Sequence, residues 1–212
     1  MFKKALTALS LSFIAATASA NPLHISQPQL SGDCIGDDIR IVNEGGKTYI
    51  AAFFNDMTAN STEGVYSKRR CTMNYKVNLP RGYRLDSFVF AVDGIYQLSE
   101  QGSGRVTVSH RVANAPSVRN TRFLNKEEDG GAGDINDYVG TISRSQLSPQ
   151  HQSCYGTSVP LTTSLYVSTT QPKTDRSGIT LVSLDEGVSD AGYVKLCRIQ
   201  FSPCQQGADS TL

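Results

Sequence analysis

The chain has no tryptophan and only three histidines. The first absence removes the usual sugar-stacking ring and leaves tyrosine as the aromatic material for any platform. The second narrows acid–base and metal chemistry to His24, His110 and His151. No G-x-S-x-G elbow and no H-E-x-x-H helix motif occurs, and no pair of cysteines or histidines sits at zinc-ligand spacing. His24 falls in an extended lead-in and His151 in a polar loop. His110 lies on the apolar side of a strand pattern, as expected of a hydrogen-bonded core histidine. His151-Gln152-Ser153-Cys154 places a histidine near a thiol, but in an oxidising compartment Cys154 is expected to be bridged rather than nucleophilic. Catalytic, cofactor and metal residues are therefore all assigned as none. A secreted hydrolase is the alternative reading, and loss of turnover on His110→Ala or His151→Ala would favour it.

An excess of charge of either sign is also missing, with 20 Lys and Arg against 19 Asp and Glu. The only basic run is Lys68-Arg69-Arg70, which flanks a strand start and reads as solvated surface, so nucleic acid is not an expected partner. Beyond the first twenty residues no apolar stretch approaches the length of a membrane span. Nothing after that point repeats apolar residues at three-and-four spacing, which argues against amphipathic helices.

What is present begins with Met1 to Ala20: Lys3 and Lys4, an apolar stretch, then Ala18-Ser19-Ala20. This is the pattern of a secretory signal peptide cleaved after Ala20, so the chain is expected to be secreted or periplasmic. Residues 21 to 212 then form a single domain with room for a substantial core.

The most regular stretch runs from Cys71 to Val112 and reads as three consecutive antiparallel strands. Cys71, Met73, Tyr75, Val77 and Leu79 alternate with Thr72, Asn74, Lys76 and Asn78, one row for a core and one for water. Pro80 and Arg81-Gly82 supply a turn. Leu85 to Val92 is apolar on both faces and predicts a central strand. Val106, Val108, His110 and Val112 make the third strand.

Ahead of these, Ile39 to Val42 and Thr48 to Phe54 flank Gly45-Gly46 as a hairpin. Behind them, Leu161 to Thr169, Ile179 to Leu184 and Tyr193 to Phe201 complete about eight or nine strands. In the first of these, Leu161, Thr163, Leu165 and Val167 alternate with Thr162, Ser164, Tyr166 and Ser168. Residues 113 to 152 form an irregular loop region. Many short strands joined by Gly, Pro, Asn and Asp turns predict an all-β fold: a single antiparallel β-sandwich of Greek-key or jelly-roll type.

Five cysteines in an exported chain predict disulfides and one thiol left over. Sequence alone does not fix the pairing. Cys71 opens a strand and Cys204 closes the last one, while Cys34 and Cys154 both lie in polar, glycine-containing segments. The expected bridges are Cys71 with Cys204 and Cys34 with Cys154, leaving Cys197 free and inward.

One stretch has the composition of a site: Glu127-Glu128-Asp129-Gly130-Gly131-Ala132-Gly133-Asp134-Ile135-Asn136-Asp137. Clustered carboxylates on a glycine-rich loop suit a hard cation such as calcium, though the spacing is not that of a helix-loop-helix site. A solvated acidic loop from Asp129 to Asp137 is the reading preferred here, with a calcium-stabilised module as the alternative.

The run Cys71-x-Met73-x-Tyr75-x-Val77-x-x-Pro80-x-Gly82-Tyr83, followed by Gly94-Ile95-Tyr96-Gln97-Leu98, resembles the core of a small secreted four-cysteine family, domain of unknown function 4360. Cys34 before a glycine, Cys154-Tyr155-Gly156 and Phe201-x-x-Cys204 extend the resemblance over most of the chain. It implies an exported, disulfide-bonded all-β domain and brings no catalytic residue with it. Cys197 is an additional cysteine, and Asn114 to Gln152 does not align. The function class that follows is a non-catalytic extracytoplasmic binding domain with a protein or glycan ligand. Tyr49, Tyr66, Tyr83, Tyr96, Tyr138, Tyr155 and Tyr166 are the candidates for a contact surface, most of them expected in the core or at its rim.

Overall fold

In the computed structural model, residues 22–62, 64–185 and 192–204 are described, so the expected signal peptide, Met1 to Ala20, lies outside the described residues. They form twelve strands in two antiparallel sheets. The first sheet runs β1 (His24–Gly32), β5 (Tyr66–Arg81), β10 (Tyr155–Thr170), β7 (Ser103–Val112), β8 (Val118–Asn125). The second runs β2 (Asp38–Glu44), β3 (Lys47–Phe53), β12 (Val194–Pro203), β6 (Tyr83–Gln97), β11 (Thr180–Ser183), β4 (Thr58–Ser61), with β9 (Ala132–Ser143) on the other side of β6. The architecture is the expected disulfide-bonded β-sandwich.

The alternation along β5 does what its period requires. Cys71, Met73, Tyr75, Val77 and Leu79 are buried while Asn74 and Lys76 are exposed. β10 behaves in the same way, with Leu161, Thr163, Leu165 and Val167 inward. Facing them from the second sheet are Phe88, Phe90 and Val92 of β6. At roughly 25 cal/mol per Å², each such buried side chain contributes about 1.5–3 kcal/mol before entropy is set against it.

Three expectations are corrected. The segment from Cys71 to Val112 does hold three successive strands, but they are not neighbours in one sheet. β6 crosses to the second sheet, and β10 lies between β5 and β7. The crossing occurs at Gly82, whose φ of 87° turns the chain between layers at a position any side chain would strain. Residues 113 to 152 are not irregular. They contain β8, a one-turn helix α1 (Lys126–Asp129) and β9, which pairs with β6 along most of its length. β9 escaped recognition because its fully buried residues, Ile135 and Ile142, are few and its other positions are polar or glycine.

The bridges are Cys34–Cys71 and Cys154–Cys204, not the pairs expected, although Cys197 is free and buried as anticipated. Topology explains both. Gly32 at the end of β1 stands opposite Cys71, so Cys34 arrives beside it just after the strand ends. Cys71 is well inside β5 rather than at its start. Tyr155 pairs with Arg81 and Pro203 with Tyr83, so the corner at Gly82 draws the start of β10 and the end of β12 together. Gly82 donates its N–H to the Cys154 carbonyl at 2.9 Å and accepts the Cys204 N–H at 2.8 Å. The second bridge thus joins one layer to the other, while the first ties the end of β1 to its neighbour β5.

The outer edge of the first sheet is interrupted. The β1 register shifts between Ser26 and Gln29, around the exposed Pro28, a bulge at a residue with no N–H to offer. Among the described residues no helix is long and apolar enough to cross a membrane.

Candidate functional site

The sequence-stressed histidines are not brought together. His24 begins β1 opposite Asn78 and is exposed. His151 sits in a short 3-10 turn, buried, with its ring nitrogens hydrogen-bonded to Ser148 Oγ (2.8 Å) and Gln150 Nε2 (3.3 Å). Burial lowers its pKa. His110 is fully buried between the sheets, as its strand position implied. Its ring stacks on Phe90 with centroids 4.3 Å apart, and Nδ1 lies 3.0 Å from Thr163 Oγ1. Thr163 Oγ1 is also 3.1 Å from the Tyr75 hydroxyl. Burial depresses the His110 pKa to about 3 and raises that of Tyr75. Burial also raises the Cys197 thiol well above its usual value. Among the described residues no carboxylate hydrogen-bonds this imidazole, so they assemble no hydrolase triad around it.

The acidic stretch is ordered, not a free loop. Asn125 caps α1 by accepting the Glu128 N–H, and Asp129 accepts the Asn125 N–H at 2.9 Å. Arg122 of β8 reaches Asp129 at 3.1 Å and Asp137 at 3.6 Å, with its guanidinium 5.8 Å from the Tyr96 ring centroid. The hydrogen bond to Asp129 holds the Arg122 pKa above its ordinary value. The positive charge that this carboxylate pair needs is supplied by the chain itself. Among the described residues no group of three or more His, Cys, Asp or Glu is placed to hold a metal ion.

A concave surface does form on the outer face of the five-stranded sheet. A groove of about 620 Å³ is lined by Lys68 and Arg70 of β5, Tyr166 and Ser164 of β10, Arg105, Thr107 and Ser109 of β7, and Arg119 of β8, with Asp33 at its end. The ladder sets these neighbours: Arg70 pairs with Tyr166 and Tyr166 with Thr107, while Ser164 pairs with Ser109 and Ser109 with Arg119. All occupy the outward parity of strands whose alternate residues fill the core.

Aromatic rings flank the groove. The Arg105 guanidinium lies between Phe123 and Tyr166, 5.3 and 5.5 Å from their ring centroids. Phe123 is 67% exposed, an uncovered ring held in place by a cation. The Tyr66 and Tyr166 hydroxyls share a hydrogen bond. That bond holds the Tyr166 pKa below its usual value, with Arg105 and Lys68 acting in the same direction, and holds that of Tyr66 above.

The field over this face is one-sided. β1, β5, β7, β8 and β10 contain no Asp or Glu at all, while β5 alone carries Lys68, Arg69, Arg70, Lys76 and Arg81. Among the described residues no carboxylate comes within ion-pair distance of Lys68, Arg70, Arg105 or Arg119. Asp33 is the one carboxylate among the lining residues, and it accepts the Arg70 backbone N–H at 2.6 Å. A second hollow of about 470 Å³ continues along the same face past Lys76, Arg111 and Thr162 to His151.

Sequence reasoning placed Tyr166 on the outward row but missed Arg105, Arg119 and Phe123. It also took Lys68-Arg69-Arg70 for ordinary surface charge. The signal that could have found the face was the absence of carboxylates from these strands.

Fold and face together define a disulfide-bonded β-sandwich with an open cationic and aromatic sheet surface. No family model matches the chain, and no curated protein is similar to it. Among solved structures it is similar to that of TmCBM61 in complex with beta-1,4-galactotriose, at 12% identity. The match covers 84% of this chain and 90% of that one, with a TM-score of 0.28. At that superposition the likeness carries no argument about ligand or activity.

Proposed function

We propose that the chain is a non-catalytic, extracytoplasmic glycan-binding domain whose site is the outer face of the five-stranded sheet. The observation that carries this is the groove itself, a solvent-open concavity that combines Tyr166 with a floor of hydroxyls from Thr107, Ser109 and Ser164 and has the exposed Phe123 at its flank, against Arg105. Rings offer apolar patches to the faces of sugars, while hydroxyls and guanidinium groups match their hydroxyls. Two disulfides favour an oxidising compartment, in keeping with the signal-peptide pattern of residues 1–20. The four cysteines that carry the resemblance to the small secreted family are the four that are bridged, which favours that resemblance as well.

The test is affinity electrophoresis of the mature protein through gels containing polysaccharides. Retardation by at least one glycan is expected, weakened on the order of tenfold by Tyr166→Ala and Phe123→Ala with little change in melting temperature. Equal retardation of the wild type and both variants would move the site elsewhere. No retardation on any glycan would remove the function.

A further inference from the structure

We infer that the ligand of this face is an anionic polysaccharide, carboxylated or sulfated, lying along the strands of the five-stranded sheet. The inference rests on the binding reading above and adds the charge and course of the ligand.

The sign comes from segregation rather than from total charge. Cations and carboxylates are nearly equal in number over the chain, yet the five strands of this sheet hold none of the carboxylates. The other sheet carries Asp38 and Glu44 on β2, Asp86 and Asp93 on β6, and Asp134 and Asp137 on β9. There cations find partners: Arg40 bonds Asp38 at 2.5 Å, and Lys195 meets Glu44 at 2.9 Å. On the groove side Lys68, Arg70, Arg105 and Arg119 converge on a lining whose one carboxylate, Asp33, bonds a backbone N–H and lies outside ion-pair distance of all four. Like charges brought together in this way repel each other and destabilise the fold, and a bound polyanion relieves that repulsion.

The course comes from spacing. On β5, Lys68, Arg70 and Lys76 share the outward face, and on β7 so do Arg105 and Arg111. At about 3.4 Å per residue the cations of β5 extend over about 27 Å and those of β7 over about 20 Å. The two hollows lie end to end along that track. A linear polymer bearing repeated negative charges can meet both files at once, whereas a compact anion meets only one end.

Hydroxyls favour a sugar chain over other polyanions. Between the cationic files lie Thr162, Ser164 and Tyr166 of β10, and Thr107 and Ser109 separate the two arginines of β7. They form a central floor of donors and acceptors suited to ring hydroxyls.

The experiment measures binding of the mature protein to immobilised heparin, polygalacturonate and dextran, with a duplex DNA oligonucleotide as competitor, from about 50 to about 500 mM salt. Retention on heparin or polygalacturonate but not dextran is expected, released by salt. It should weaken at least about tenfold in the Arg70→Gln/Arg119→Gln double variant and stay unchanged in Arg40→Gln. A melt confirms that each variant is folded. Salt-insensitive binding to dextran, unaltered in the double variant, would overturn the anionic ligand and leave the glycan reading standing. Displacement by DNA at lower concentration than by free heparin would replace the glycan with nucleic acid. Binding to none of the three would overturn the anionic ligand, and retardation by a neutral glycan in the gels above would then leave the glycan reading standing.

Discussion

The His110 imidazole lies against the Phe90 ring in the middle of the sandwich, 4.3 Å between centroids, and only its Nδ1 finds a hydrogen-bond partner. The group is neutral when folded because a charge there has neither water nor a carboxylate to meet. Its pKa is about 3, against an ordinary value of 6.5. The unfolded chain therefore binds a proton that the folded chain refuses throughout that window. Stability is fully present above pH 6.5 and falls as pH drops toward 3, by about 1.4 kcal/mol per pH unit and on the order of 5 kcal/mol in all. Denaturant midpoints measured from pH 7 to about 4 should decline accordingly, and His110→Phe should flatten that decline. An unchanged slope in the variant would show that other groups cause the acid sensitivity.

How much of this was legible depends on whether a residue's neighbours come from its own strand. The alternations on β5 and β10 were plain because period two is a local property, and they placed Tyr75, His110 and Thr163 inward correctly. The bridges were misread because partners depend on which strands meet at the Gly82 corner, a long-range fact. The candidate face was missed for the same reason. Lys68 and Tyr166 come from strands far in sequence from each other and from the consecutive β7 and β8 that carry Arg105 and Arg119, and only the order β5-β10-β7-β8 makes them adjacent.

The two bridges should be worth comparable amounts. Their sequence separations of 37 and 50 residues correspond to about 4 kcal/mol each in the chain-entropy model. Cys154→Ser/Cys204→Ser should cost more than that figure if the hydrogen bonds of Gly82 loosen with it, and chemical denaturation reads the difference. A loss under about 1 kcal/mol would mean that the corner holds without the covalent link.

Two glycines separate conformational strain from steric clash. Gly82 has φ 87° with open space where a side chain would go, so Gly82→Ala should cost about 1–2 kcal/mol. Gly32 has a similar φ of 89°, but an added Cβ would sit 2.2 Å from the Arg70 carbonyl oxygen. Gly32→Ala should be clearly the more damaging in thermal melts and should also loosen Asp33 at the end of the groove. Equal effects would assign the whole cost to the backbone angle.

Arg122 supplies the counter-charge of the acidic stretch between β8 and β9. Calcium or a chelator should leave the melting temperature of the wild type unchanged, whereas Arg122→Ala leaves Asp129 and Asp137 without their shared cation and should lower it. A calcium-dependent melt in the wild type would restore the metal reading.

The bulge at Pro28 matters beyond the strand that contains it. A sheet border with regular, unpaired amides is a template on which a second molecule can dock and extend a fibril. β1 forms one border of the sheet that bears the groove, and its register breaks where a proline takes the place of an amide donor. A second copy meeting this border is thereby denied an unbroken seam along which to add its own strand.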